Sequence, residues 1–200
     1  MQRIIFIFIL MGTFLIGKSQ DQAQISVNPN GLAFQNGSQS IIIANTKSAM
    51  EIKQDIIRNL KISHQSRFLK IDSAKDVLIV SDFIPGYTKS DKFPENAYQL
   101  DLFYKIVVDI KDHKFRVHLP TITIASNQKY EYDGLNKRIQ FSINMAIRGK
   151  REAGSNIEKQ LFIFNEKDKL IEKITKERLE QDLSAIVRLI IDQSEAPNWD

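Results

Sequence analysis

Cysteine is absent from this chain. Its absence excludes disulfides, thiolate metal sites, a cysteine nucleophile and a lipid-modified N-terminal cysteine. Histidine is scarce, and His64, His113 and His118 are the three present. None has a second histidine or a carboxylate at the H-E-x-x-H spacing that puts two metal ligands on one helix face. The G-x-S-x-G, Walker and G-x-G-x-x-G patterns are missing as well, so no nucleophile elbow or phosphate-cradling loop is recognisable. Asp101 and Asp109 share one strand face, but eight residues part them. That is ~26 Å at about 3.3 Å per residue, where a glycosidase pair needs roughly 5–10 Å. The expectation is of no catalytic, cofactor-binding or metal-ligating residue.

A large charge excess is also lacking. The 28 basic and 24 acidic side chains give +4 over the whole chain. Long apolar runs are lacking with one exception, Ile4 to Ile16, broken only by Gly12 and Thr13. Arg3 precedes this run and the small residues Gly17 and Ser19 follow it. That layout predicts a secretory signal peptide over 1–19, cut before Gln20. The run is too short to span a bilayer comfortably, which takes about 20 apolar residues. No other stretch approaches that length, so no stable membrane span is expected once the signal is gone. Loss of Arg3 and Lys18 leaves 26 basic against 24 acidic residues, a net +2. Such a balance gives little reason to expect a nucleic-acid partner. The expected location is the periplasm or outside the cell. The 181 residues that remain suffice for one domain with its own core.

Residues 20–38 are polar and predict a flexible leader, with room for a short strand at Leu32–Gln35. Asn36-Gly37-Ser38 is a turn signal and also matches a glycosylation sequon. The domain itself is expected over 39–192. Ser40–Asn45 holds three consecutive isoleucines and predicts a strand. Ser48 and Glu51 have capping-box spacing, and Ile52, Ile56, Ile57 and Leu60 then repeat at helical period. Glu51, Lys53, Asp55, Arg58 and Lys61 fall on the polar face, whose mixed charge favours a core-packed helix over a membrane-surface one.

Strands are predicted at Ser66–Ile71 and Val77–Ile84, then a polar loop with Pro85, Gly86 and Pro94 to about residue 96. Asp72-Ser73-Ala74 matches a short O-glycosylation acceptor pattern, but a plain hairpin turn is the preferred reading. The segment Tyr98–Ile110 alternates along its whole length, with Tyr98, Leu100, Leu102, Tyr104, Ile106, Val108 and Ile110 on one face. A two-residue loop at Asp112-His113 would pair Ile110 with Phe115, Val108 with Val117 and Ile106 with Leu119. It would also set Asp109 opposite Arg116. Pro120 removes a ladder donor and predicts an edge or a bulge in the return strand Phe115–Ala125.

Residues 127–155 read as an insertion, with alternation from Ile139 to Ile147 marking an extra strand. Ile157–Phe162 fits either a short helical turn or a strand. Alternating charge over 166–180 predicts a solvated face. Leu179, Leu183, Ile186, Val187 and Ile190 share one helical face, while Leu170 and Ile174 lie nearly opposite. Thr175 is therefore the expected N-cap of the last helix. Residues 193–200 form a tail in which Trp199 is expected to tuck against the domain.

The order is signal peptide, isoleucine-rich strand, capped helix, four strands and closing helix. It resembles a family of exported bacterial proteins carrying a domain of unknown function with a TATA-box-binding-protein-like (TBP-like) fold. The resemblance rests on Ile41–Glu51, the long strand Tyr98–Ile110, the turn Lys111–Arg116, the Ile157-Glu158 pair and the terminal helix, and it covers roughly 39–192. His113 stands where the family pattern commonly has glycine. The resemblance implies an α+β fold, a curved antiparallel sheet of about five strands with two helices on one face in the order β-α-β-β-β-β-α. It implies no reaction, and DNA binding does not follow from a fold name.

Three functions remain. The first is a non-enzymatic binding module of the bacterial cell envelope, taking a small apolar ligand in a cleft lined or covered by Tyr98, Phe103 and Tyr104. The second is an envelope structural or assembly protein acting through an exposed sheet face or edge, with Phe103 and Val107 as its patch. The third, a hydrolase, would need a deep polar pocket joining His118 to a carboxylate.

Overall fold

A serine that meets its own glutamate starts the first helix. The structure, a computed structural model, describes residues 23–90, 98–126, 142–149 and 158–192. The segments expected as signal peptide (1–19) and tail (193–200), Trp199 included, and most of 127–155 lie outside them. Helix α1 is Ala49–Ser63. The Ser48 hydroxyl accepts from Glu51 N at 3.4 Å and the Glu51 carboxylate accepts from Ser48 N at 2.9 Å, so both arms of the capping box form. The Ser48 hydroxyl, donating to the Glu51 carboxylate at 2.6 Å, and then Ser48 N hold that carboxyl below the usual glutamate range. Ile52, Ile56 and Leu60 face the core. Asp55, expected on the polar face, is instead buried, with Lys47 and Arg58 each 2.7 Å away. A buried carboxylate needs such partners to offset its lost hydration.

Ten strands accompany the helices among the described residues: β1 (Ile25–Asn28), β2 (Gly31–Phe34), β3 (Ser40–Ala44), β4 (Lys70–Ser73), β5 (Val77–Ser90), β6 (Tyr98–Lys111), β7 (Lys114–His118), β8 (Thr121–Ala125), β9 (Ser142–Arg148) and β10 (Glu158–Phe164). Strand β6 is the spine. It pairs with β5 along one side, and with β7 and then β8 along the other. One end of the sheet therefore runs β3-β7-β6-β5-β4 and the other β10-β9-β8-β6-β5. The fold is α+β, as expected, but seven strands rather than four separate the two helices. The sheet is also mixed, because β9 and β10 run parallel. Of the segment left open at Ile157–Phe162, the described residues from Glu158 on are thus strand.

The predicted hairpin register holds. Ile110 faces Phe115, Val108 faces Val117 and Asp109 faces Arg116. His113 takes φ +64°, where glycine is the favoured residue. The turn is held in place from outside: His113 N donates to Lys47 O at 3.0 Å, Asn45 N to His113 O at 2.8 Å, and Ala49 N to the Asp112 carboxylate at 2.8 Å. At Pro120 the pairing slips. Val108 to Lys105 covers three steps on β6, while Val117 to Thr121 covers four on the return. That extra residue is the bulge expected of a proline with no donor, and the proposed Ile106–Leu119 pair falls inside it. Leu119 N donates to Gln39 O instead, at 3.1 Å.

Four boundaries expected from the sequence are corrected by the structure. Residues 25–34, within the presumed leader, form a β1–β2 hairpin built into the core. Ile25 N donates to Ser184 Oγ and Val27 N to Glu180 Oε1, each at 2.8 Å, so the hairpin lies on the last helix. Second, β5 does not end at Ile84 in a polar loop. It runs on to Ser90 through an irregularity between Ile84 and Thr88, where Gly86 has φ +62° and its N donates to Asp101 at 2.8 Å. Third, helix α2 is Lys173–Ile191, and Glu172 stands at its N-cap. Thr175 lies inside the helix, buried, with its hydroxyl 2.8 Å from that of Thr88. The strand predicted from Ser66 likewise begins only at Lys70.

Both helices bury against one sheet face. Leu179, Leu183, Ile186, Val187 and Ile190 of α2 join Ile52, Ile56 and Leu60 of α1 over Leu78, Val80, Leu100, Leu102, Tyr104, Ile106, Val108 and Ile110. Ile174 points away, 79% exposed, as its place on the helical wheel requires. Lys173–Glu177 and Arg178–Asp182 form i,i+4 ion pairs on the solvated side, and Lys176–Glu180 forms a third, half-buried under the β1–β2 hairpin. No described helix is long and apolar enough to cross a membrane.

Candidate functional site: the helix-free sheet face and the Asp82 clasp

Alternation sends the other half of each strand away from the helices. On β6 those residues include Phe103, Val107 and Asp109. Phe103 is 45% exposed. Phe83 of β5 stands directly opposite it and Ile79 stands opposite Val107. Phe68, just before β4 and itself 40% exposed, meets the Phe83 ring edge-on at 5.4 Å and 89°. The Arg67 guanidinium sits 4.7 Å from the Phe68 ring centre. The register thus gathers three phenylalanines and a cation across neighbouring strands, on the side no described helix covers. Tyr104, expected beside Phe103 in a cleft, points the opposite way and is buried. The side chain of Tyr98 lies outside the described residues.

Beside this stripe lies a polar cluster that the sequence reading missed. Asp82 occupies an inward position on β5, two residues after Val80, and its side chain is fully buried. Its carboxylate bonds His64 Nε2 at 2.8 Å and accepts from Ser66 Oγ at 2.6 Å and Phe83 N at 2.8 Å. The Tyr104 hydroxyl is 3.3 Å from His64 Nε2. Burial, then the Asp82 charge, pushes the Tyr104 phenol far above its ordinary 10.0. His64 is the C-cap of α1, so the carboxylate clasps the end of that helix to the sheet. An open pocket borders the cluster where β4 stops at Lys70–Ser81 and β5 runs on without it. The one available signal was an aspartate on the apolar face of an alternating strand.

This geometry does not assemble a hydrolytic triad. Ser66 and His64 both turn to the same carboxylate, whereas an activated serine must donate to the imidazole. His118 does meet a carboxylate, Asp109, at 2.7 Å, but both side chains are half-exposed on the open face rather than in a deep pocket. His113 is held in its turn with Nδ1 3.1 Å from Thr46 O. Asp101 and Asp109 have separate partners, Gly86 N and His118. Of Asp72-Ser73-Ala74, the first two end strand β4 and the hairpin turn begins at Ala74, whose N donates to Val77 O at 2.9 Å. Among the described residues, no three histidine or acidic side chains converge as a metal site.

No family model and no curated protein matches the chain. Two solved structures are similar to it. One is a TBP-like protein from Parabacteroides distasonis, 18% identical over 52% of this chain, with a TM-score of 0.32. The chain spans 62% of that protein's length, less than two thirds. The other is a DUF4468 family protein from Bacteroides ovatus, 12% identical, covering 80% of this chain and 87% of that one, with a TM-score of 0.40. Both names agree with the resemblance read from the sequence, while the fold stated above rests on strand order and register.

Proposed function

We propose that the protein is a non-enzymatic interaction module of the bacterial cell envelope, acting through the helix-free face of its sheet. The observation that carries this reading is the stripe of exposed Phe68 and Phe103 with half-buried Phe83 between them, on a sheet whose other face is filled. Apolar surface gathered on an open face is the mark of a protein contact. The ligand-cleft reading is less well supported. Leu100, Leu102, Tyr104 and Ile106 occupy the space between sheet and helices at 2% exposure or less. The envelope setting rests on the signal-like residues 1–19.

Two measurements test the two halves. A photoreactive phenylalanine at position 103, activated in living cells, is expected to form a protein adduct. The same probe at Met50, 70% exposed on α1, is expected to form none. Equal adducts from both positions, or none from 103, would refute the sheet-face reading. Cell fractionation with N-terminal sequencing tests export: a chain beginning at Gln20 outside the cytoplasm supports it, and an intact Met1 in the cytosol refutes it.

A further inference from the structure

The sheet has three outer strands among the described residues, and two of them are protected. Strand β4 carries Lys70 and Asp72, ion-paired at 3.3 Å and both well exposed. The outer side of β10 is bonded by the following turn, with Ile171 N and Glu172 N both donating to Ile163 O and a bridge joining Phe164 to Leu170. Strand β3 is different. It pairs with β7 on one side only, and its residues, Ser40-Ile41-Ile42-Ile43-Ala44, include no charge and no proline. Charges and prolines are the usual devices that keep an edge from pairing with another chain.

Hydrogen-bond direction shows which groups point outward. Leu119 N donates to Gln39 O, and Asn45 N donates to His113 O. The odd-numbered residues therefore bond inward to β7, and alternation turns the N–H and C=O of Ser40, Ile42 and Ala44 outward. Ile42 is also 59% exposed. We infer that β3 is a self-association edge, which adds a second copy of this chain in antiparallel register about Ile42. The pairs are then Ile42 with Ile42, and Ser40 with Ala44 in both directions. Each pair exchanges two bonds, which uses all six outward backbone groups; the Ser40 carbonyl, which already accepts from Ser38 Oγ at 2.8 Å, takes the new bond on its second lone pair. Ile41 of one copy faces Ile43 of the other on the helix side. The two strands meet with no like charges opposed, because neither has any, and small residues face each other at both ends. An edge this short buries well under the roughly 1,200–2,000 Å² of a stable interface, so the dimer dissociates on dilution. This edge is distinct from the phenylalanine stripe and stands independently of the function proposed for it.

The missing cysteines make the test direct, since an introduced thiol is the sole one. Two residues in a bonded antiparallel pair have Cα atoms about 5.5 Å apart, within disulfide reach. In protein recovered from cells expressing residues 1–200, Ile42→Cys is expected to give a covalent dimer under mild oxidation. Ser40→Cys alone and Ala44→Cys alone are expected to give none, and the two mixed are expected to cross-link. Ile42→Pro removes only an outward donor. It is expected to abolish the concentration-dependent dimer in sedimentation velocity while leaving the melting temperature in place. A wild-type chain that stays monomeric at every concentration overturns the inference. So does cross-linking that is equal at positions 40, 42 and 44.

Discussion

Asp82 is the costliest side chain in the sheet to disturb, because three groups depend on it at once. Replacing it by alanine leaves His64, Ser66 and Phe83 N facing a void without an acceptor. We expect Asp82→Ala to lower stability by about 3 kcal/mol, read from urea denaturation. A loss below that of an ordinary surface change would show that the clasp contributes nothing. Tyr104 and Tyr87 make a second prediction at this scale. Burial comes first in raising both phenols, followed by Asp82 for Tyr104 and Asp182 for Tyr87. Below pH 10 each phenol is neutral in both folded and unfolded chains. Above it the unfolded chain releases protons that the folded chain keeps. Stability therefore falls as pH rises past 10, by up to about 1.4 kcal/mol per pH unit for each tyrosine. Phenolate absorbance from these two of the five tyrosines should appear together with loss of far-UV dichroism. Full ionisation of all five in a still-folded chain would contradict this.

Helix α2 shows where element-level reading succeeds and where it stops. Its apolar face follows from spacing alone, because Leu179, Leu183, Ile186, Val187 and Ile190 return to one side every three or four residues. Its start does not. Thr175 is a good N-cap by type, yet its hydroxyl is committed to Thr88 across a sheet–helix contact that spacing along α2 does not contain. We expect Thr175→Val alone to cost about 1 kcal/mol, and the double change Thr88→Val, Thr175→Val to recover most of it, since no hydroxyl is then left unpaired. Additive losses in the double-mutant cycle would sink that account. Strand β5 teaches the same lesson. Pro85 and Gly86 read as the end of a strand, but the Asp101 side chain on the neighbouring strand accepts from Gly86 N within the irregularity, and the ladder resumes at Thr88. Strand β2 overlaps the short strand expected at Leu32–Gln35, but β1 was hidden in a polar segment because Ile25 and Val27 acquire a core only when α2 packs beside them.

At the scale of the whole molecule, a sheet with helices on one side must leave its other side to solvent or to partners. The open face and the bare β3 edge are the two surfaces the described residues leave for association. What the sequence by itself determined was local: the capping box, the face of each helix, the in–out alternation of β6 and the register of its hairpin. Each depends on residues a few positions apart, so periodicity and turn chemistry suffice. Only the tertiary structure decided which strands lie side by side. That brought Phe68, Phe83 and Phe103 into one stripe, gave Asp82 its three partners, set β9 parallel to β10 and left β3 unpaired on one side. Those contacts join residues far apart in the chain, and their free energy is realised only once the core has closed around them.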